Sequence, residues 1–213
     1  MTLKHYSVLQ KLPKSIIPFG LGDQIYPGDW LNEKNGDNIL GLNKFYGETT
    51  GIYWIWKNYL DNFKINDWIG FCQYRRLWLN DIYIKKQAFT FDNLYSNLLS
   101  SEAVLKPETE TYLVQPTFFT NHDLLDQFET LYGKNTINEC AKLVLDKDKE
   151  DFRNFLKGNK FSICNMFITK PRIFKQYCEE MFNWIEKCYG YCNNQNLLKG
   201  KDMRLPVFMV ERF

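Results

Sequence analysis

Two adjacent arginines close an apolar run in "WIGFCQYRRLWL", Trp68 to Leu79. Gln73, Tyr74, Arg75 and Arg76 follow the run directly, and no acidic neighbour appears before Asp81. Guanidinium groups present a planar fork of donors that suits phosphate and diphosphate oxygens. At a strand end such a pair offers an anion site, because ligands of open α/β sheets bind outside the carboxyl ends of strands. Distant carboxylates pairing with the arginines would explain them equally well. On an extended strand Arg75 shares a face with Gln73, while Tyr74 and Arg76 point to the other. Both arginines serve one anion only if the strand breaks between them.

Carboxylates are the other reactive groups. A carboxylate can take a proton from a hydroxyl nucleophile, and the resemblance set out below, rather than spacing, points to Asp37, Glu48, Asp202 and Glu211 for that role. A second apolar run, "FSICNMFIT" (161–169), carries the amide of Asn165 beside Met166. A buried amide must find partners, which are either backbone groups or a ligand hydroxyl. Asp146-Lys147-Asp148 spells the D-x-D pattern of metal–diphosphate sites, but it lies within "DKDKED", where a solvated charged turn is expected. Gly20-Leu21-Gly22 lacks the third glycine of a dinucleotide fingerprint.

The elements that must position these groups alternate between strand and helix. Trp68–Arg76 and Phe161–Thr169 read as buried strands, and Thr111–Phe119 as a further strand. Helices are expected over 44–60, 123–133 and 135–146, and from Pro171 to Gly190. Gly47 and Gly51 share a helix face with Glu48 and imply close approach by a neighbour. The Pro-, Gly- and Asn-rich stretch 11–43 reads as an ordered loop. Alternating elements predict an α/β fold with a mostly parallel mixed sheet flanked by helices, in one domain spanning 1–213.

Composition narrows the function. Hydrophobic residues make up 45% of the chain, enough for a core. Lys and Arg number 27 against 25 Asp and Glu, so no basic excess marks a nucleic-acid binder. Five of the six tryptophans lie between residues 30 and 78, as a dense core or as a stacking platform. The six cysteines form no C-x-x-C pair, and with only His5 and His122 present a metal site is not expected. Free thiols, no leader and no membrane-length apolar run predict a cytoplasmic protein with at most peripheral contact at the inner membrane face.

Set in order, these pieces resemble a known family. "GDNILGLNKFYGETTGIYWIWKN", "DWIGFCQYRRLWL", "CNMFITKPRIFKQYCEEMFNWI" and "VERF" are similar to blocks of a bacterial glycosyltransferase-like domain of capsule, lipopolysaccharide and exopolysaccharide loci. The likeness covers about residues 35–79 and 161–213, with a divergent middle near 80–160. Gln73 stands where that family usually has histidine, and its amino-terminal strand pattern is not recognisable here.

The resemblance implies a GT-A-like fold and transfer of a sugar from a nucleotide-sugar donor, uridine-diphosphate-linked by preference, to a saccharide or lipid-linked acceptor. It implies Glu211, Glu48, Arg75 and Arg76 as catalytic residues. Asp37, Asn38, Asn43, Gln73, Tyr74, Asn165, Met166 and Arg212 are implied in substrate binding. Arginine charge would replace a divalent cation at the leaving diphosphate, with manganese or magnesium as the alternative. Inversion is favoured over retention. A non-catalytic module that binds a nucleotide or a glycan is the competing function.

Overall fold

The computed structural model describes residues 1–2, 9, 12–74, 76–79, 98–99, 105–106, 108–133 and 135–213, the side chain of Lys201 excepted. In chain order the elements are β1 (Phe19–Gly20), β2 (Leu31–Asn32), α1 (Asn43–Tyr46), α2 (Thr49–Asn58), β3 (Ile69–Gly70), β4 (Thr111–Leu113) and β5 (Thr117–Phe118). There follow α3 (Leu124–Tyr132), α4 (Thr136–Ala141), α5 (Lys149–Leu156), β6 (Lys160–Phe161), β7 (Phe167–Thr169), α6 (Pro171–Asn194) and α7 (Leu205–Val210). The architecture is mixed α/β with small sheets.

The sheet departs from the mostly parallel one expected. β7 is the central strand of three and pairs antiparallel with both β3 and β4. β5 and β6 are also antiparallel, and only β1 and β2 run parallel. Two breaks shorten the apolar runs that read as long strands. After Phe71 the backbone turns, and Gln73 and Arg76 exchange N–H···O bonds of 3.1 and 2.9 Å across a tight turn. Further on, Cys164 (φ 79°) and Asn165 (φ 47°) take left-handed conformations between β6 and β7. The unbroken apolar character reflects burial of Phe71 and Phe167 against helices, which covers an antiparallel strand as effectively as a parallel one.

Helix α6 organises the interior. Pro171 starts it, which suits a first-turn position without a free N–H requirement. It runs past Gly190 to Asn194, four residues beyond the predicted stop. Its Phe174, Cys178, Met181, Phe182 and Ile185 join a cluster with Ile52, Ile55, Ile69 and Phe71. Its Trp184, Cys188 and Cys192 join a second cluster with α3, α4 and α5. Helix α7 bridges the two in the same way, through Val210 on one side and Leu205 and Met209 on the other. The tryptophan-rich segment packs as core: Trp30 is buried, Trp56 stacks on Phe182, and Trp54 stacks on Tyr59. None of the described helices is long and apolar enough to cross a membrane.

The helix expected over 44–60 is divided at Gly47. Its φ of 55° suits glycine, and a Cβ there would lie 2.4 Å from Nη2 of Arg204. Asn43 holds the break, its Nδ2 donating to Gly47 O at 3.0 Å and Thr50 Oγ1 at 2.9 Å. The division places Glu48 at the amino-terminal cap of α2, where the helix dipole favours a carboxylate. Gly47→Ala should destabilise the fold by about 1–3 kcal/mol and displace Arg204 from Glu48. Urea denaturation checks this; an unchanged midpoint would show that the break tolerates a side chain.

Candidate active site

Glu48 is the hub of the site. Its Oε1 accepts from Gln73 Nε2 at 3.1 Å and from Asn165 Nδ2 at 3.0 Å. Its Oε2 meets Nη2 of Arg204 at 3.4 Å. Gln73 Nε2 also donates to Cys164 O at 3.0 Å, and Arg76 Nη1 contacts Cys164 Sγ. One carboxylate therefore ties together the cap of α2, the 73–76 turn, the left-handed turn at Cys164–Asn165 and the segment before α7. Two non-glycine residues in left-handed backbone cost on the order of 1–3 kcal/mol each, and such strain concentrates where geometry serves function.

Glu211, on the last turn after α7, differs from Glu48 in having no hydrogen bond or ion pair to its carboxylate among the described residues. Burial, helped by the charge of Glu48, pushes its pKa up to about 7, with Arg212, Arg76 and Arg204 opposing. At neutral pH it is divided between acid and carboxylate, the condition that suits a proton acceptor. Tyr177, from α6, feels the Glu48 charge as well, and burial raises its hydroxyl pKa.

Glu211, Asn165, Met166 and Tyr177 all line a cavity of about 930 Å³ bounded by β4, α5, β6, α6 and the end of α7. The exposed guanidiniums of Arg76 and Arg204 act on Glu211 through their charge but do not line the cavity.

The other residues expected in the site are distributed as follows. Tyr74 lies within the 73–76 turn, half-buried, and Arg75 lies outside the described residues. Asp37 and Asn38 are held elsewhere. Asp37 Oδ1 accepts from Tyr53 Oη at 3.1 Å, and its backbone pairs with the Asn58 amide at 2.9 and 2.7 Å. Asn38 bonds within its own turn, to Gly36 O and from Leu40 N. Asn58 ends α2, about 15 Å along the axis from Glu48 at 1.5 Å per residue. Asn43 braces the Gly47 break beside Glu48.

Arg212 is buried between the rings of Phe128 and Phe161, at 4.8 and 4.5 Å from their centroids. It donates to Phe208 O at 2.8 Å and to Gln127 Oε1. Burial lowers its pKa to about 10. Asp202 sits in the 3₁₀ turn Gly200–Arg204, with Oδ1 buried and without a partner among the described residues.

The acidic D-x-D stretch is spent on surface pairing. Asp146 meets Lys149 at 2.6 Å, and Asp148 meets Lys147 at 3.7 Å. Among the described residues no three His, Cys, Asp or Glu side chains are grouped to hold a metal ion. Asp146 and Asp148, thus paired with lysines, form no divalent-cation site among the described residues.

Neither Arg204 nor Tyr177 is legible in the sequence as a residue of the site. Tyr177 carries only the signal of a core-facing helix position, and Arg204 that of a loop cation. Pairing of Arg204 with a residue 156 positions away depends on the tertiary fold.

The chain shares its fold with the apo structure of WbbM, a bifunctional glycosyltransferase, at a TM-score of 0.69 and 20% identity. The match covers 94% of this chain and 38% of that one, so this chain spans well under half of the longer protein. No curated protein matches. Residues 1–213 match the family described as Domain of unknown function (DUF4422), and the chain belongs to that family.

Proposed function

We propose that the chain is a glycosyltransferase that moves a sugar from a nucleotide-sugar donor, by preference uridine-diphosphate-linked, to a saccharide or lipid-linked saccharide acceptor in surface polysaccharide synthesis. The observation that carries this reading is Glu211, which lines the cavity with no hydrogen bond or ion pair to its carboxylate among the described residues and whose pKa is pushed up to about 7 by burial. The fold shared with a glycosyltransferase supports it.

In this reading Glu211 takes the proton of an acceptor hydroxyl as that oxygen attacks the anomeric carbon. The bond from that carbon to the diphosphate oxygen breaks, and its electron pair leaves with the nucleoside diphosphate. Arg76 meets the charge that develops there, with Arg75 beside it in sequence; fixed donors of this kind are worth most at the moment of bond cleavage. A single displacement inverts the anomeric centre. Glu48, already holding three donors, positions Gln73, Asn165 and Arg204 rather than accepting the proton.

Guanidinium charge then replaces a divalent ion. Nucleoside diphosphate release from a panel of nucleotide-sugars, ranked first by thermal shift, should persist in excess chelator. Strict dependence on added manganese or magnesium would remove the arginines from that role. Tight donor binding with no release would favour a binding module.

A further inference from the structure

We propose that the cavity beside Glu211 holds the apolar chain and the phosphate of a lipid-linked acceptor. The inference rests on the transferase reading above and names the class of its acceptor.

The walls suit a chain. Val114, Val144, Phe161, Ile173, Val210 and Phe213 all line the cavity, which at about 930 Å³ is large for a small-molecule site. Each methylene covered by such walls gains about fourfold in affinity. The apolar surface also continues outward at the rim. Leu113, 61% exposed, and Phe155, 39% exposed, both belong to the lining. Phe118, 62% exposed, stands opposite Lys160 of the lining in the β5–β6 register. Exposed apolar side chains grouped around an apolar cavity mark an entrance for an apolar ligand.

Arg212 supplies the counter-charge for an anionic head. It lines the cavity, is 4% exposed, and has no ion pair among the described residues. Its hydrogen bonds go to the neutral acceptors Phe208 O and Gln127 Oε1, and its Nε is buried without a partner among the described residues. A buried cation without a counter-ion is costly, and an anion brought beside it offsets that cost.

The carboxylates of the lining do not cancel this charge. Asp148 and Glu180 are both tied to Lys147, at 3.7 and 2.7 Å. Glu211 is divided between acid and carboxylate at neutral pH. What remains is Asp151 against Lys160 and Arg212, a balance that favours an anion. Arg76, assigned above to the donor diphosphate, does not line the cavity, so this anion is a second one. A phosphate carried on an apolar chain meets the walls and the charge together.

The test is titration calorimetry of the full chain with methyl, octyl and decyl phosphate and with 1-decanol, below the concentrations at which they aggregate. Decyl phosphate should bind about tenfold more tightly than octyl phosphate, and methyl phosphate should not bind measurably. 1-Decanol should bind roughly tenfold more weakly than decyl phosphate. Leu113→Glu, at an exposed position where the fold tolerates change, should weaken decyl phosphate about tenfold. Arg212→Gln should bring decyl phosphate and 1-decanol to equal affinity, and Leu113→Glu keeps the test independent of any effect of Arg212 on folding. Uridine diphosphate should leave decyl phosphate in place.

Affinity that ignores chain length, or equal affinity of the wild type for decyl phosphate and 1-decanol, would overturn the inference. So would displacement by uridine diphosphate, or binding unaffected by Leu113→Glu. Capture by phosphatidylglycerol vesicles without binding of decyl phosphate would assign the exposed rim to a membrane surface instead. Sugar transfer to a chain-free saccharide, with no decyl phosphate bound, would remove the cavity site and leave the transferase standing. Decyl phosphate binding without turnover of any donor would support the cavity site and remove the transferase.

Discussion

Glu211→Gln should lower the turnover number by roughly 10²–10⁴ while leaving donor affinity unchanged. The amide keeps the shape of the side chain and its place in the cavity lining but cannot accept the acceptor's proton. In the wild type, kcat/KM should rise with pH and level off above about 7, where the carboxylate is fully ionised. In the variant that rise should disappear.

The same substitution has a second signature, in stability. The folded-state pKa of Glu211 lies above its unfolded value, so between about pH 4.5 and 7 the folded chain binds more protons than the unfolded chain. Stability from this group is therefore complete below 4.5 and is lost as pH rises through 7. Holding the buried carboxylate ionised at pH 8 costs on the order of 3 kcal/mol, and Glu211→Gln removes the cost. The variant should be inactive and more resistant to urea at pH 8, yet no more resistant than wild type at pH 4. A variant equally destabilised at both would show that Glu211 is a packing residue.

Arg76→Ala should reduce kcat/KM by roughly 10²–10³, the range seen when one fixed donor to a developing oxyanion is removed. Arg76→Lys should restore little, because an ammonium lacks the planar fork that meets two diphosphate oxygens. Arg204 offers the contrast. Its Nη2 is engaged by Glu48, so Arg204→Ala should act through the position of Glu48 and affect folding stability along with rate. Donor affinity measured on inactive Glu211→Gln separates the two arginines: loss with Arg76 removed and near-normal binding with Arg204 removed. Normal donor binding without Arg76 would assign the diphosphate to other residues.

The local signals legible in the sequence were those that depend on near neighbours. Pro171 starts α6 where the periodicity placed it, and Asp123 caps α3, its carboxylate accepting from the Asp126 N–H at 2.7 Å. Glu48, Gln73 and Asn165 are brought together as named residues of one site, although 117 positions separate Glu48 from Asn165. Strand direction was not legible. A buried run such as "WIGFC" is apolar whether its partner is parallel or antiparallel, and only pairing with β7 decides.

Both arginines meet one anion only if the strand breaks between Arg75 and Arg76. The backbone turns across residues 73–76, where Gln73 and Arg76 pair, and Arg75 itself lies outside the described residues. Asp37 shows the limit of motif proximity. It stands 11 residues before Glu48 in sequence but is pinned by Tyr53 and Asn58 toward the far end of α2. Buried Glu33, with Oε1 accepting from Gly22 N at 2.6 Å, carries no local signal of its burial. Within a Gly- and Asn-rich loop, nothing local distinguishes a carboxylate turned inward from one in solvent.

Nucleoside diphosphate release at pH 8 in excess chelator, compared between wild type and Glu211→Gln with the best-bound nucleotide-sugar, is the most direct test of sugar transfer at this site. Release by the wild type and none by the variant, at equal donor affinity, is the expected result. Equal release from both proteins, or donor binding by the wild type without release, would contradict it.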